Sequence, residues 1–335
     1  MSASGGPRLL SRPFGLAIRL AIAGGLTAYL FWKIHPREVL AAAAAAHWGP
    51  IGIAVLLVLV DRSLMAYRWM ALLCTIEPWQ RPPLSTVMRI FFVSTFLGTF
   101  LPASVGGDAV RSYSMLKLNV AGSDAVASVF MDRMLGVASV LLMAVVGLFF
   151  ARDLATNTAI LAGLSFSTTL CLLTMFVIFS RRGAQAAVWI AALVPIAAVQ
   201  GVTARLVDSI RKYAGHPGSL VKVLLCSVLV QVLRILQAYC LGLGLDIAAP
   251  LTAYFALIPL ILLVMLLPVT FNGIGTGQAA FIWAFRHAGV PDAAAFALSV
   301  LFVGLGIVGN LPGALLFASG SAGEAGPGPR RPDPS

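Results

Sequence analysis

The sequence predicts an all-α bundle of membrane-spanning helices with almost no soluble domain. Of its 335 residues, 59% are hydrophobic and only 10% are charged, and the mean hydropathy is +0.95. Soluble domains are about 45–50% apolar and about 25% charged, so this chain carries more apolar surface than water accommodates. A bilayer core about 30 Å thick needs about 20 apolar residues per helix, which leaves room for about six to eight spans.

Apolar runs of that length recur along the chain, separated by short segments rich in proline, glycine or charge. The first run ends at the interfacial pair Trp32–Lys33 with no cleavage signal, so we interpret it as a retained span and not as a signal peptide. Residues 1–13 are then a cytoplasmic segment, 14–317 form one transmembrane domain, and the Gly/Pro-rich tail 318–335 is expected to be disordered. The predicted spans are 14–33, 48–75, 86–101, 123–150, 158–180, 219–243, 250–267 and 292–317.

Residues 184–213 do not fit this pattern, because their apolar run is short and contains Pro195. Arg205, Asp208 and Arg211 follow at helical spacing. An amphipathic helix at the membrane interface fits this stretch better than a further span, and both interpretations remain open.

The remaining composition argues against several classes of function. The formal net charge of +11 is spread through short loops, which fits the positive-inside rule and anionic lipid headgroups better than a nucleic-acid partner. The four cysteines lie in or beside apolar runs without CxxC spacing, and the four histidines are scattered, so no metal site is predicted. No GxSxG, HExxH or P-loop motif occurs, so we expect no catalytic residue, no cofactor and no ATP-driven step.

Two segments of the chain resemble each other. Residues 101–107 and 267–273 share Leu-Pro, a hydroxyl residue, a small residue and glycine, and each precedes a long final span. Proline breaks a helix and glycine lets the chain turn and restart, and paired interruptions of this kind point to the binding site of a transporter. The sequence therefore predicts an internal repeat, about 48–150 and about 219–317, whose orientation is left open. The alternative is a pair of ordinary turns at the membrane surface.

Charged residues inside the predicted membrane region need a partner or a task. Asp108 and Arg111 are three residues apart on one helical face, so they could pair locally, and the alternative is that Asp108 meets a cationic group or Arg133. Asp132 and Arg133 are adjacent and point about 100° apart, so we expect them to pair with other helices. For all four residues a purely structural ion pair is the alternative to a binding role.

Several motifs resemble one known family over about 14–317. They are 61–69, the LPxSxGGDxxR segment 101–111, 128–133, 268–275 and 279–281. Together they are similar to the transmembrane region of lysylphosphatidylglycerol synthase, a flippase-like membrane family. The resemblance implies a multi-pass protein of the bacterial inner membrane, with both termini cytoplasmic, that handles lipids.

The resemblance also bears on the substrate. In bifunctional members this region moves aminoacylated phosphatidylglycerol between leaflets, and a separate soluble domain makes that lipid. The chain shows no such domain, so we expect a stand-alone member that is not an enzyme. The family's second motif usually carries a basic–acidic pair where this chain has Gly277–Gln278, a departure that favours a less charged lipid such as a hopanoid or polyprenyl lipid.

The predicted function is translocation of a phospholipid, hopanoid or other lipid, passively or by gradient coupling. One alternative is an accessory subunit that binds lipid-biosynthesis enzymes, and another is a membrane-embedded lipid-modifying enzyme that uses Asp108 or Asp132. The residues expected to contact the lipid are Ser104, Gly106, Gly107, Asp108, Arg111, Asp132, Arg133, Asn272, Gly273, Gly275 and Gln278.

Overall fold

A computed structural model confirms the all-α architecture over the residues that it describes. Those residues are 46–76, 82–100, 105–118, 120–150, 158–180, 197–266 and 276–319, together with 182, 183, 185, 186 and 189. They include ten α-helices and one short 3-10 helix, Tyr213–Gly215. The α-helices are α1 (Trp48–Ile76), α2 (Leu84–Gly98), α3 (Val105–Leu116), α4 (Gly122–Phe150), α5 (Thr158–Phe179), α6 (Ala197–Lys212), α7 (Pro217–Gly244), α8 (Leu251–Leu266), α9 (Thr276–Arg286) and α10 (Asp292–Ala318).

Five of these helices, α1, α4, α5, α7 and α10, are long and apolar enough to cross a bilayer. The helices α2 and α8 are apolar but shorter, with 15 and 16 residues. The prediction of a polytopic helical bundle is therefore confirmed. These seven helices correspond to seven of the eight predicted spans, and the eighth, 14–33, lies outside the described residues.

Proline and glycine set the points at which several helices begin or turn. Pro83 and Pro291 immediately precede α2 and α10, and Pro217 is the first residue of α7. The first turn of a helix has unpaired N–H groups in any case, so a proline there removes no helical hydrogen bond. Gly289, between α9 and α10, has a φ of +74°, a left-handed conformation that favours glycine.

The amphipathic helix α6 is attached to the bundle at its C-terminal end. Lys212 Nζ lies 3.0 Å from both carboxylate oxygens of Asp124 in α4. The next residue, Tyr213, is buried and donates its hydroxyl to the Leu72 carbonyl of α1 at 3.1 Å. Burial raises the pKa of the Tyr213 hydroxyl, which keeps it protonated as a donor. Within the described residues α6 is not among the candidate spans.

The helix order repeats along the chain. Helices α1 to α4 contain 29, 15, 12 and 29 residues, and helices α7 to α10 contain 28, 16, 11 and 27. We call α1–α4 the first half and α7–α10 the second half. Each half runs long, medium, short, long, and α5 and α6 lie between the halves in the chain.

The two halves have opposite orientations. Their first helices, α1 and α7, pack against each other and run antiparallel. At one end of this contact the His47 amide, just before α1, donates to the Gly244 carbonyl at the end of α7 at 2.8 Å. Further along, Arg68 Nη1 donates to Ser227 Oγ, near the start of α7, at 3.0 Å. Equivalent helices that run in opposite directions describe an inverted repeat, as many transporters have.

Glycines let the halves interlock. The last helix of each half packs against the second helix of the other half, so α4 crosses α8 and α10 crosses α2. A Cβ atom at Gly147 of α4 would lie 2.5 Å from the Phe255 carbonyl oxygen of α8. A Cβ atom at Gly313 of α10 would overlap the Phe92 carbonyl of α2. Small residues permit this approach of two backbones, the usual means of helix association in membranes.

Candidate functional site

A cavity of about 400 Å³ lies between the two halves. Ligand pockets in proteins measure roughly 300–1,000 Å³, so the cavity has room for a small polar ligand or a lipid headgroup. Its wall is formed by α1, α2, α3 and α4 of the first half and by α7, α8 and α10 of the second. The charged and amide side chains in the wall are Asp61, Arg62, Arg68, Asp108, Arg111, Asp132, Arg133, Gln231, Arg234, Gln237 and Asn310.

Asp132 of α4 is the centre of the most buried ion-pair cluster. Its Oδ1 accepts a hydrogen bond from Arg68 Nε at 2.7 Å, and both side chains are 4% exposed. Its Oδ2 lies 3.5 Å from Arg111 Nη1, an ion pair without hydrogen-bond geometry. One carboxylate thus serves two guanidinium groups and joins α1, α3 and α4. Removing a partner from a buried pair of this kind leaves an uncompensated charge.

Arg111 is held more by aromatic rings than by hydrogen bonds. Its guanidinium carbon lies 4.9 Å from the centre of the Trp69 ring and 4.7 Å from that of Phe91. The residue is 5% exposed, and its Nε and Nη1 atoms have no hydrogen-bond acceptor among the described residues. A guanidinium over aromatic faces gains cation–π attraction while its edge remains able to donate.

A second cluster surrounds Asp61 of α1. Arg62 Nη1 lies 3.2 Å from Asp61 Oδ2, and Arg234 Nε of α7 lies 3.6 Å from Asp61 Oδ1. Arg62 also donates to the Gly306 carbonyl of α10 at 3.4 Å. Asp61 is only 1% exposed, so this carboxylate is again shared by two arginines within the protein. The cluster connects the first helix of each half across the cavity.

The third ion pair joins α3 to α4 in a more open position. Arg133 Nε and Nη2 each donate to one carboxylate oxygen of Asp108 at 2.9 Å. The Arg133 side chain is 47% exposed and that of Asp108 is 19% exposed, so this pair is far more accessible than the pairs of Asp132. Bidentate arginine–carboxylate pairs are strong and fix the geometry of both groups.

The charges of the wall do not balance. Among the residues that the structure describes, five arginines and three aspartates line the cavity, which gives a formal charge of +2. Two of the aspartates are each shared by two arginines, as described above. Charged side chains within a membrane are costly and usually mark a functional site. The excess of guanidinium groups makes the cavity suited to an anion.

Neutral amides contribute the polar groups of the second half. Gln231 Nε2 donates to Ser139 Oγ at 3.0 Å, and Asn310 Nδ2 donates to Thr99 Oγ1 at 2.9 Å. Their carbonyl oxygens, Gln231 Oε1 and Asn310 Oδ1, are buried without a donor among the described residues. Buried polar groups are normally hydrogen-bonded, so unpartnered acceptors beside a cavity are candidate ligand contacts.

Another part of the wall is apolar. It is formed by Leu262 and Met265 of α8 and by Phe302, Val303 and Ile307 of α10. The first half also supplies apolar lining residues, among them Phe91 and Val137, so the apolar part of the wall comes from both halves and the charged part largely from the first. An amphipathic ligand matches such a surface because each of its parts meets groups of like polarity.

The structure brings most of the predicted charged residues together. Gly107, Asp108, Arg111, Asp132 and Arg133 all line the cavity. Gly106 on α3 and Gln278 on α9 are described but are not part of the cavity wall. The other predicted site residues, which lie outside the described residues, are Ser104, Asn272, Gly273 and Gly275.

Of the two arginines considered as partners of Asp108, the structure shows Arg133 and not Arg111. Asp108 pairs with Arg133 and Arg111 approaches Asp132, so both partners come from α4. The side chain of Arg111 turns toward the rings of Trp69 and Phe91, away from its own helical neighbour. The prediction that Asp132 and Arg133 pair with other helices agrees with these contacts.

Seven charged or amide lining residues were not among the predicted site residues, although six of them formed a pattern in the sequence. Asp61, Arg62 and Arg68 recur within α1, and Gln231, Arg234 and Gln237 recur three apart within α7. Residues three or four apart share one helical face, so each set describes a polar stripe in an apolar helix. Asn310, a single amide in α10, offered no comparable pattern. Within the described residues, no group of three or more His, Cys, Asp or Glu side chains is placed to hold a metal ion.

Comparison with protein families adds an independent finding. The family model of the Lysylphosphatidylglycerol synthase TM region matches residues 16–313, which is most of the chain. This range includes every residue that lines the cavity. A search of curated proteins found no match.

Proposed function

Because this chain belongs to the family of the lysylphosphatidylglycerol synthase transmembrane region, we propose that it translocates a membrane lipid. The headgroup crosses the bilayer within the central cavity. The observation that carries this proposal is a cavity between two inverted halves that is lined by both charged and apolar side chains. In transporters built from inverted repeats, the substrate site lies at the interface of the repeats near the middle of the membrane.

The physical task of a lipid translocase is to remove the cost of moving a polar headgroup through hydrocarbon. A polar group without hydrogen bonds costs several kcal/mol there, by roughly 4–8 on water-to-cyclohexane scales. The arginines and amides of the cavity replace the water that the headgroup loses. A cavity of about 400 Å³ accommodates a headgroup, while the acyl chains stay beside the apolar helices α8 and α10.

Reconstitution of the purified protein tests translocation directly. Vesicles of phosphatidylcholine carrying a trace of NBD-labelled phosphatidylglycerol are treated with dithionite, which bleaches only the outer leaflet of protein-free vesicles. We expect the protein to expose inner-leaflet lipid to bleaching. Arg133→Gln should slow this exchange at least about tenfold, because Asp108 loses a charge-assisted bidentate partner in the cavity wall.

The control for this assay is Arg286→Gln, which removes a positive charge from the exposed end of α9 outside the cavity. It should translocate at the wild-type rate. Folded, reconstituted protein that exposes no inner-leaflet lipid would refute the proposal. Mass spectrometry of the same vesicles separates the alternatives, because a lipid-modifying enzyme would change the mass of a lipid and an accessory subunit would need its partner enzyme.

A further inference from the structure

We propose that the cavity selects an anionic phosphate group that has no compensating amine beside it, and that Arg111 is the residue that contacts this phosphate. This inference rests on the proposed function, because it takes a lipid headgroup as the source of the phosphate. It departs from the less charged lipid that the Gly277–Gln278 substitution favours. It also excludes a lysylated headgroup, whose ammonium groups the same cavity would repel.

The two buried clusters, around Asp132 and Asp61, carry more positive than negative charge. Asp132 faces Arg68 and Arg111, and Asp61 faces Arg62 and Arg234. Each cluster therefore keeps one guanidinium charge more than its carboxylate neutralises. In a low-dielectric wall such an excess is costly, and an anion that enters the cavity lowers that cost.

The geometry of Arg111 suits it to contact an anion. It is buried, its Nε and Nη1 donors have no acceptor among the described residues, and its ion pair with Asp132 is 3.5 Å long. Trp69 and Phe91 hold the guanidinium through its face. The donors on the edge of the group are thus in place for a ligand. A phosphate fits them because it has several acceptor oxygens, so different N–H groups of one guanidinium can each donate to it.

The cavity wall is less suited to a cationic headgroup. All three aspartates in the wall already have an arginine partner, so an ammonium group would have to compete with a guanidinium for each. Asp61 Oδ1 has no hydrogen-bond donor among the described residues, but Arg234 Nε lies 3.6 Å from it. The other unpartnered acceptors beside the cavity, Gln231 Oε1 and Asn310 Oδ1, are neutral. They suit the hydroxyl groups of a headgroup better than a full positive charge. The cavity thus favours phosphatidic acid and phosphatidylglycerol over phosphatidylethanolamine.

Binding in detergent tests this inference without any translocation step. Purified full-length protein is titrated with dioctanoyl phosphatidic acid, phosphatidylglycerol, phosphatidylethanolamine and phosphatidylcholine, and the dissociation constants are measured by calorimetry. We expect the two anionic lipids to bind at least about tenfold more tightly than the two zwitterionic ones, the scale of one charge-assisted hydrogen bond. Equal affinity for all four lipids would overturn the inference.

Variants identify the contacting residue. Arg111→Gln should abolish the preference for anionic lipids, and Arg111→Lys, which keeps the charge but lacks the planar fork, should retain only part of it. Asp61→Asn removes a competing negative charge and should strengthen the preference. The matched control, Arg286→Gln, should bind as the wild type. If Arg111→Gln fails to fold, Arg111→Lys and Asp61→Asn still test the inference. An unchanged preference for anionic lipids in both variants would refute the role of Arg111 and of the excess arginine charge.

A competition arm identifies the source of the phosphate. Inorganic phosphate at millimolar concentration should displace dioctanoyl phosphatidylglycerol only weakly if the site uses the whole lipid. Displacement at equal concentrations would instead assign the site to free phosphate and overturn the lipid assignment. Anionic preference without exchange in vesicles would refute translocation alone, and exchange without anionic preference would refute this inference alone.

Discussion

The first and second halves share one helix order but differ in the side chains that they present to the cavity. Of the eight charged residues described in the wall, seven belong to the first half and one, Arg234, to the second. Among the described residues, the second half contributes all three amides of the wall and seven of its twelve apolar side chains. The inverted scaffold is therefore symmetric in its backbone and polarised in its chemistry.

The two halves therefore stabilise the cavity wall by different kinds of contact. In the first half, the buried carboxylate of Asp132 and the half-buried one of Asp108 hold arginines in place through short ion pairs. In the second half, single neutral hydrogen bonds and apolar packing complete the wall. Ion pairs inside a protein tolerate the loss of a partner poorly, whereas a neutral hydrogen bond is worth about 0.5–1.5 kcal/mol. The stability of the halves should respond differently to equivalent changes.

The largest effect should follow the loss of Asp132. Asp132→Ala leaves Arg68 and Arg111 buried without a carboxylate, so we expect the free energy of unfolding to fall by about 3–5 kcal/mol. Equilibrium unfolding in mixed detergent micelles measures this change. Asp246→Asn in the second half is the control, because Asp246 is exposed and its φ of 54° is one that asparagine adopts readily. Equal losses in both variants would contradict the polarised arrangement.

The next largest change in stability is expected at a glycine of the first half, compared with a glycine of the second half. A Cβ atom at Gly107 of α3 would lie 2.8 Å from the Ser94 carbonyl oxygen of α2, so Gly107→Ala should destabilise the protein by about 1–3 kcal/mol. A Cβ atom at Gly277 of α9 would lie 3.5 Å from the flexible side chain of Met265. Gly277→Ala should be neutral, or stabilising by up to about 1 kcal/mol through helix propensity. Thermal unfolding of both variants in one detergent measures the difference, and its reversal would show that α9 packs more tightly than α3.

A neutral contact in the second half should matter less. Asn310→Ala removes the hydrogen bond to Thr99 Oγ1 between α10 and α2, so we expect a loss of about 0.5–1.5 kcal/mol. A double-mutant cycle with Thr99→Ala isolates this contact from other effects of the substitution. A loss as large as that of Asp132→Ala would mean that the second half also depends on buried polar anchors.

The smallest effect should be found at the surface of the second half. Arg286 and Asp292 form an exposed pair at the turn between α9 and α10, and solvent screens such pairs. Arg286→Gln should therefore have the same thermal midpoint of unfolding as the wild type, both at low and at high salt. A shift comparable to that of Gly107→Ala would show that this turn holds the halves together.

Much of the architecture follows from the sequence, because hydropathy reports a strong physical constraint. A bilayer requires long apolar helices whose backbone groups are hydrogen-bonded within the helix. The spans 48–75, 123–150, 158–180 and 219–243 can therefore be recognised in the sequence as runs of apolar residues. The charges within those runs were equally visible, since a charged residue in lipid demands an explanation. Composition and motifs also sufficed to indicate the family.

The partners of those charges were decided by the tertiary structure. Asp108 and Arg111 are three residues apart in sequence, yet each finds its partner on α4. Spacing along a helix reports which residues share a face, but it does not report which neighbouring helix that face meets. The inverted orientation of the halves, which the sequence left open, became evident only from the antiparallel contact of α1 with α7.

The sequence by itself thus determined the helices, the break points and the inventory of buried charges, because these depend on local composition and on the bilayer as solvent. The tertiary structure alone decided that five arginines and three aspartates from four different helices surround one cavity, and that the charged wall belongs to the first half. The physical reason is that packing between distant helices is set by close contacts such as Gly147 on α8 and Gly313 on α2. Such contacts depend on three-dimensional complementarity and leave no periodic signal in the chain.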